Sequence, residues 1–228
     1  LLLGGLGFAV YHTSLNYGEQ TVSAGVASLV VSTAPIFSAL LALLFYRERF
    51  GTRGWIGSVI GLAGVLLVSF GTDAGLTLTS GAWLILLAAL AESFYFVFQK
   101  SYLEKYGFLA FTTYTIWAGT LWMLFFLPGL VQEMIAAPVE ATLSVLYLGL
   151  FPTVLPYFAL AYITSRVGAS EATSSLYLTP VLAFVIAWFW LGEVPTVLAI
   201  VGGGVTLAGV LLANSSSTAT EKAQESGI

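Results

Sequence analysis

The chain of 228 residues is strongly apolar: hydrophobic residues make up 58%, charged residues 8%, and the formal net charge is −4. Soluble domains carry about 25% charged residues, so this composition excludes a soluble globular domain and predicts a protein embedded in a lipid bilayer. The absence of Cys excludes disulfides and thiolate chemistry. With one His and no phosphate-binding loop, we predict no enzyme, no metal site and no cofactor.

Apolar runs long enough to cross a membrane follow one another along the whole chain. A hydrocarbon core of about 30 Å needs about twenty helical residues. We predict eight transmembrane helices, at residues 1–18, 20–46, 54–72, 74–99, 106–132, 141–165, 172–192 and 194–213. None of these runs alternates in polarity as barrel strands do. The predicted class is therefore an all-α polytopic membrane protein, followed by a polar, disordered tail at 214–228.

Positive charges set the predicted orientation. With eight alternating spans, every basic residue falls on one side of the membrane: Arg47, Arg49, Arg53, Lys100, Lys105, Arg166 and Lys222. The positive-inside rule makes that side cytoplasmic. We therefore predict a multi-pass protein of the cell inner (plasma) membrane with its C-terminus in the cytoplasm.

The chain repeats itself at a constant offset of 145 residues. Residues 23–48 fall on 168–193 without a gap, so that Pro35 meets Pro180 and Glu48 meets Glu193. One constant offset over such a length indicates an internal duplication. The copy lies five helices later, an odd number, so it crosses the membrane in the opposite direction. These inverted five-helix repeats predict ten helices, two of them before residue 1, with repeat boundaries at 1–73 and 74–213.

Inverted repeats are typical of secondary transporters, which place the substrate near the membrane midplane where matching helices are interrupted. Pro35 and Pro180 are the predicted helix breaks, because proline removes a backbone hydrogen bond. Polar residues precede each proline, and we assign Ser28, Ser32, Thr173 and Tyr177 to the substrate site. The alternative is that these residues serve only helix packing.

Glu92 is the strongest candidate for a functional group, because it lies near the middle of the fourth span. An unpaired charge there costs at least about 2.5–3.5 kcal/mol. Tyr95 and Gln99 share its helix face at spacings of three and seven. We predict that Glu92 binds a cationic or amine-bearing substrate or carries a coupling proton. The alternative is a protonated carboxyl that hydrogen-bonds a neighbouring helix for packing.

The first span offers a second polar face with His12 and Asn16, and the repeat partner of His12 is Tyr157. We include all three in the predicted site, with Trp117 of the fifth span as a stacking residue. A packing role for His12 and a lipid-facing Trp117 are the alternatives. Glu19 is predicted to be a solvated boundary charge. Glu48 and Glu193, which end their spans on opposite sides, are predicted to be boundary anchors or gate contacts.

Several segments resemble the EamA-type family of the drug/metabolite transporter superfamily. They are LNYGEQTVSAG at 15–25, the Ala34-Pro35 run to Glu48, GLAGVLLVSFG at 61–71, and LTPVLAFVIAWFWLGE with GGGVTLAGVLL in the second half. The resemblance implies ten helices, cytoplasmic termini and transport of small metabolites, often outward. The expected partners are a small-molecule substrate, such as an amino acid or a related amphipathic compound, the lipid bilayer and a coupling proton, without nucleic acid. The chain would act as a monomer or homodimer. A membrane ligand sensor or scaffold without flux is the alternative function.

Overall fold

The computed structural model describes residues 1–22, 27, 30–48, 50–70, 80–179, 181–182, 189 and 196–225. The regular structure of this part is helical. We number nine helices in it: α1 at 2–19, α2 Ala34–Tyr46, α3 Gly51–Phe70, α4 Ser80–Tyr106, α5 Phe108–Met123, α6 Leu130–Ala136, α7 Val139–Val167, α8 Ala169–Ser174 and α9 Val197–Glu225. Short 3₁₀ turns extend α5 over Leu124–Phe126 and α8 over Ser175–Tyr177.

Three of the described helices are each long and apolar enough to cross a membrane: Ser80–Tyr106, Phe108–Phe126 and Val139–Val167. Shorter apolar helices run over Ala34–Tyr46, Gly51–Leu67 and Ile200–Ala213. Large apolar side chains cover the outside of α5 and α7, for example Phe125 at 83% exposure and Val145 at 68%. Such an exterior suits lipid and not water.

Two helices contain a π-helical turn, at Gly5–Val10 in α1 and at Leu150–Val154 in α7. In α7 the turn coincides with Pro152, whose missing N–H leaves the carbonyl of Leu148 without its usual donor. The Thr153 hydroxyl donates to that carbonyl instead, at 2.8 Å. Such turns are frequently found at functional sites, and both of these lie beside the cavity described below.

The fifth predicted span ends earlier than the sequence pattern indicates. We predicted one helix over 106–132, whereas α5 ends at Met123, its 3₁₀ turn ends at Phe126, and the chain turns before α6. Pro128 has no backbone N–H with which to continue the helix, and Gly129 adopts φ 90°, which glycine allows without strain. Polarity carries no sign of this break, because the residues around it are apolar.

Helices α3 and α9 pack against each other in opposite directions through glycine. A Cβ added to Gly57 would collide with the backbone of Gly209 and Ala213, and one added to Gly64 would collide with that of Gly202 and Thr206. Later residues of α3 therefore contact earlier residues of α9, so the two helices are antiparallel. Contacts this close require residues without side chains, as is common between helices in membranes.

The second predicted span is interrupted where Pro35 begins a new helix. Residues 30–31 are helical, Ser32 and Thr33 form a turn, and α2 starts at Ala34 with Pro35 in its first turn. The Thr33 hydroxyl donates to the carbonyl of Val30 at 2.6 Å, replacing one bond of the interrupted helix. At the other end of the chain, α9 continues to Glu225, where we predicted disorder. Alanine, glutamate, lysine and glutamine in this segment favour helix.

Candidate functional site

A cavity of about 530 Å³ opens between α1, α4, α7 and two interrupted segments: the one before α2, with described residues 27 and 30–32, and the one at the 3₁₀ turn after α8, which includes 176–179. Helix α1 contributes Tyr11, His12, Leu15 and Glu19 to its wall; α4 contributes Glu92 and Phe96; α7 contributes Pro152, Pro156, Tyr157 and Leu160; and the interrupted segments contribute Ala27, Val31, Ser32, Leu176 and Thr179. The cavity is largely apolar with a few polar groups, as small-molecule sites are. Its volume suits a small metabolite.

Glu92 reaches this cavity from the middle of α4, and the residue is 8% exposed. In the described part of the chain, the only ion pair joins Lys100 to Glu48, so none of the described basic groups neutralises Glu92. The described wall holds two carboxyls, Glu92 and Glu19, one imidazole, and no Lys or Arg. The cavity is therefore suited to a positively charged or hydrogen-donating group.

An aromatic layer closes the cavity on the side that we predict to be cytoplasmic. The ring of Phe8 lies 4.3 Å from that of Tyr157 and 5.6 Å from that of Tyr95, and Phe96 lies 6.2 Å from Tyr157. These four residues belong to one buried cluster with Phe111 and Leu103. Aromatic rings at these separations attract each other, so the layer forms a packed floor.

A hydrogen bond at the π turn of α1 fixes the position of Tyr157. Its hydroxyl donates to the carbonyl of Gly7 at 2.8 Å. Gly7 also allows the ring of Tyr95 to approach, because a Cβ at this position would collide with it. The π turn and Gly7 therefore hold α1, α4 and α7 together below the cavity.

The structure brings together four of the predicted site residues, namely Glu92, His12, Tyr157 and Ser32. Pro35 lies buried at the break next to Ser32. Ser28 and Pro180 lie outside the described residues.

The other predicted site residues lie elsewhere. Tyr95 is in the aromatic layer, where its hydroxyl bonds Thr115 at 3.2 Å. Gln99 is buried below that layer. Thr173 donates to the carbonyl of Ala169 at 2.8 Å. Asn16 is exposed, and two others lie away from the cavity: Tyr177, packed against Val65 and Val210, and Trp117, 67% exposed on α5.

Sequence reasoning missed several residues of the wall. Tyr11 and Leu15 lie close to His12 on α1. Both line the cavity, whereas Asn16 does not. Glu19 lines the cavity mouth, where we predicted only a boundary charge. Pro152 and Pro156 could have been found, because two prolines inside one apolar span indicate an interrupted helix.

On the side that we predict to be cytoplasmic, a second cavity of about 320 Å³ is lined by polar residues, among them Glu48, Lys100, Glu104, Thr164 and Ser170. Glu48 accepts hydrogen bonds from the Lys100 ammonium and from the Ser170 backbone N–H, both at 3.3 Å. One carboxylate thus joins the end of α2 to α4 and to the start of α8. We predicted a boundary anchor or a gate contact for Glu48, and its described contacts are with α4 and α8.

Long apolar helices and a cavity between them that holds a buried carboxyl are typical of an integral membrane transporter. The model of the EamA-like transporter family matches residues 1–70 and 79–215. The chain belongs to this family.

Relatives and a solved structure agree with that assignment. The transporter YdfC of Bacillus subtilis (strain 168) is 63% identical over 209 residues, covering 92% of this chain and 68% of the relative. A probable terminal-alkyne amino-acid exporter of Streptantibioticus cattleyicolor is 40% identical over 213 residues, covering 93% and 71%. A crystal structure with 17% identity superposes with a TM-score of 0.76 over 96% of this chain and 77% of that one. At this identity the last similarity shows the fold alone.

Proposed function

We propose that this protein is a secondary transporter that moves a small, amine-bearing, amphipathic metabolite across the membrane by alternating access. The observation that carries this proposal is the buried carboxyl of Glu92 in the wall of a 530 Å³ cavity, where none of the described residues forms an ion pair with it. An ionisable group held inside a membrane without a partner is costly and is generally functional. Glu92 would hold the substrate ammonium, or exchange it for a coupling proton.

Alternating access needs two halves that can exchange conformations, and three features support an inverted duplication. First, the π turns of α1 and α7 start at Gly5 and Leu150, which are related by the offset of 145. Second, the break at Ser32 corresponds to the 3₁₀ turn ending at Tyr177. Both offsets match the sequence repeat.

The third feature lies in the glycine contacts between α3 and α9. One contact joins Gly61 to Gly209 and another joins Gly64 to Thr206. The offset of 145 converts Gly61 into Thr206 and Gly64 into Gly209, so each contact is the image of the other. Antiparallel partner helices with exchanged contacts are what a two-fold axis in the membrane plane produces. We propose repeats at 1–73 and 74–213 on this basis, within a fold of ten helices of which eight are in this chain.

The chemistry of the wall supports an amphipathic substrate. Leu15, Phe96 and Leu160 offer apolar contact, while Glu92, Glu19 and His12 offer polar contact. One relative carries the name of an amino-acid exporter, and amino acids with an apolar side chain fit this combination. We propose export across the cell inner membrane, as the name of this relative suggests. We also propose that the C-terminus is cytoplasmic, since the basic residues gather on that side.

The test uses the full-length protein in liposomes loaded with amino acids, sugars and nucleobases. Efflux of each compound is followed by mass spectrometry, with and without a pH gradient. We expect selective efflux of amine-bearing compounds, and acceleration by the gradient would establish proton coupling. Liposomes that carry the same compounds but no protein serve as the control. Folded protein that binds an amine-bearing compound without moving it would overturn the transport proposal in favour of a membrane ligand sensor.

A further inference from the structure

Gln99 is buried without satisfying its amide. The residue is 1% exposed, and neither its Oε1 nor its Nε2 has a hydrogen-bond partner among the described residues. A primary amide has two donor hydrogens and an accepting oxygen, and buried polar groups are nearly always paired. We infer that the Gln99 amide finds its hydrogen-bond partners in a different conformation of the protein.

Gln99 lies in the part of α4 between Glu92 and the predicted cytoplasmic end of the helix. It lies on α4 between Phe96 and Leu103, both members of the buried aromatic cluster, and two turns from Glu92. Gln99 lies one turn beyond Phe96 of the aromatic layer, on the side away from Glu92. Gln99 belongs to the half of the protein that leads to the predicted cytoplasmic surface.

Several further buried hydroxyls have no described partner, and two of them lie at the second cavity. These two are the Oγ1 of Thr164 and the Oγ of Ser170, each in a residue 1% exposed. Both residues line the 320 Å³ cavity together with Lys100, the neighbour of Gln99 in sequence. Buried polar groups without a described partner thus occur both on α4, one turn beyond the aromatic layer, and at this second cavity.

Contacts of Glu48 hold this end of the protein together. Its carboxylate binds Lys100 on α4 and the Ser170 N–H at the start of α8, and its side chain is only 16% exposed. Gly168 allows this arrangement, because a Cβ there would collide with the Glu48 carboxylate. Loss of the carboxylate would release α2 from both elements at once.

We propose that Gln99, Thr164 and Ser170 line the inner half of the substrate path, and that Glu48 is the residue that keeps this half closed. The proposal rests on the transport function proposed above. In this conformation the aromatic layer closes the path on one side and the Glu48 contacts close it on the other. In the opposite conformation, water and the polar groups of the substrate satisfy the amide and hydroxyls. These groups are neutral, so they bind a polar substrate weakly enough for it to pass.

The test measures whether Glu48 controls access to Gln99. The printed sequence contains no Cys. Gln99→Cys and Thr164→Cys are each made in a full-length protein in which any Cys outside this sequence is replaced by Ser, so that each variant carries a single thiol. Each is labelled with a membrane-impermeant thiol reagent in inside-out vesicles that carry the full-length protein. We expect slow labelling in the otherwise unchanged protein and labelling faster by about tenfold or more when Glu48→Gln is added. Glu104→Gln is the matched control, since Glu104 lines the same cavity without a described ion pair, and it should leave the rate unchanged.

The labelling result tests the inner path, and the efflux result tests the transport function. Equal labelling with and without Glu48→Gln, in protein that elutes as a single folded species, overturns the inner path. The two cysteine positions guard against a variant that misfolds. Labelling does not depend on flux. If Glu48 controls labelling while the unchanged protein moves no compound, the transport proposal fails and the Glu48 closure stands.

Discussion

The packing of α3 against α9 gives a prediction that can be worked out from the structure. In Gly209→Ala, the added methyl group would overlap backbone atoms of Gly57 and Gly61, and backbone cannot rotate away as a side chain can. The two helices must separate. Overpacking of this kind costs about 1–3 kcal/mol, whereas replacing a helical glycine by alanine gains about 0.5–1 kcal/mol.

Gly204→Ala is the matched control, because it lies in the same helix and a Cβ there meets no atom within 4 Å. Both variants share the helix-propensity gain, so the difference between them isolates the contact. We expect Gly209→Ala to be less stable than Gly204→Ala by about 1–3 kcal/mol. Reversible unfolding by SDS in mixed micelles measures both free energies. Equal values would refute close packing of α3 and α9 at Gly209.

Three further changes test other parts of the structure. Tyr157→Phe removes the donor to Gly7 and should lower the free energy of unfolding by about 0.5–1.5 kcal/mol in the same SDS assay; no change would mean that this bond does not form. Gly168→Ala forces a side chain into φ +92° and against Glu48, so thermal unfolding in detergent should begin at a lower temperature, by an amount that corresponds to about 1–3 kcal/mol. Trp117→Phe should change efflux less than about twofold, since the ring lies outside the cavity; a larger loss would place Trp117 in the pathway.

Composition and periodicity predict the membrane class, and the repeat predicts where the interrupted helices meet. Glu92, His12 and Tyr157 were expected together, and the structure places all three on one cavity. Each is a polar or amphipathic residue inside an apolar span, and such residues face the protein interior because lipid cannot hydrogen-bond them. This argument needs no knowledge of neighbouring helices.

The level of a residue along the pathway could not be predicted in the same way. Tyr95 and Gln99 share the face of Glu92 in the sequence, but Tyr95 packs into an aromatic layer built from three helices, and neither residue lines the cavity. Local spacing contains no information about such a layer. Asn16, which we expected at the cavity, lies away from it for a related reason. The contacts of Gly7 with Tyr95 and Tyr157 set the rotation of α1 about its axis.

The most direct measurement compares Glu92→Gln with Glu133→Gln for efflux of the identified substrate from proteoliposomes. Glu133 is exposed on the short helix α6, so its substitution controls for the loss of one carboxylate. A hydrogen bond to a charged group contributes about 1.5–3 kcal/mol, which corresponds to a reduction of about tenfold or more. We predict that loss for Glu92→Gln and unchanged efflux for Glu133→Gln. Full efflux by folded Glu92→Gln would contradict the assignment of the cavity as the substrate site.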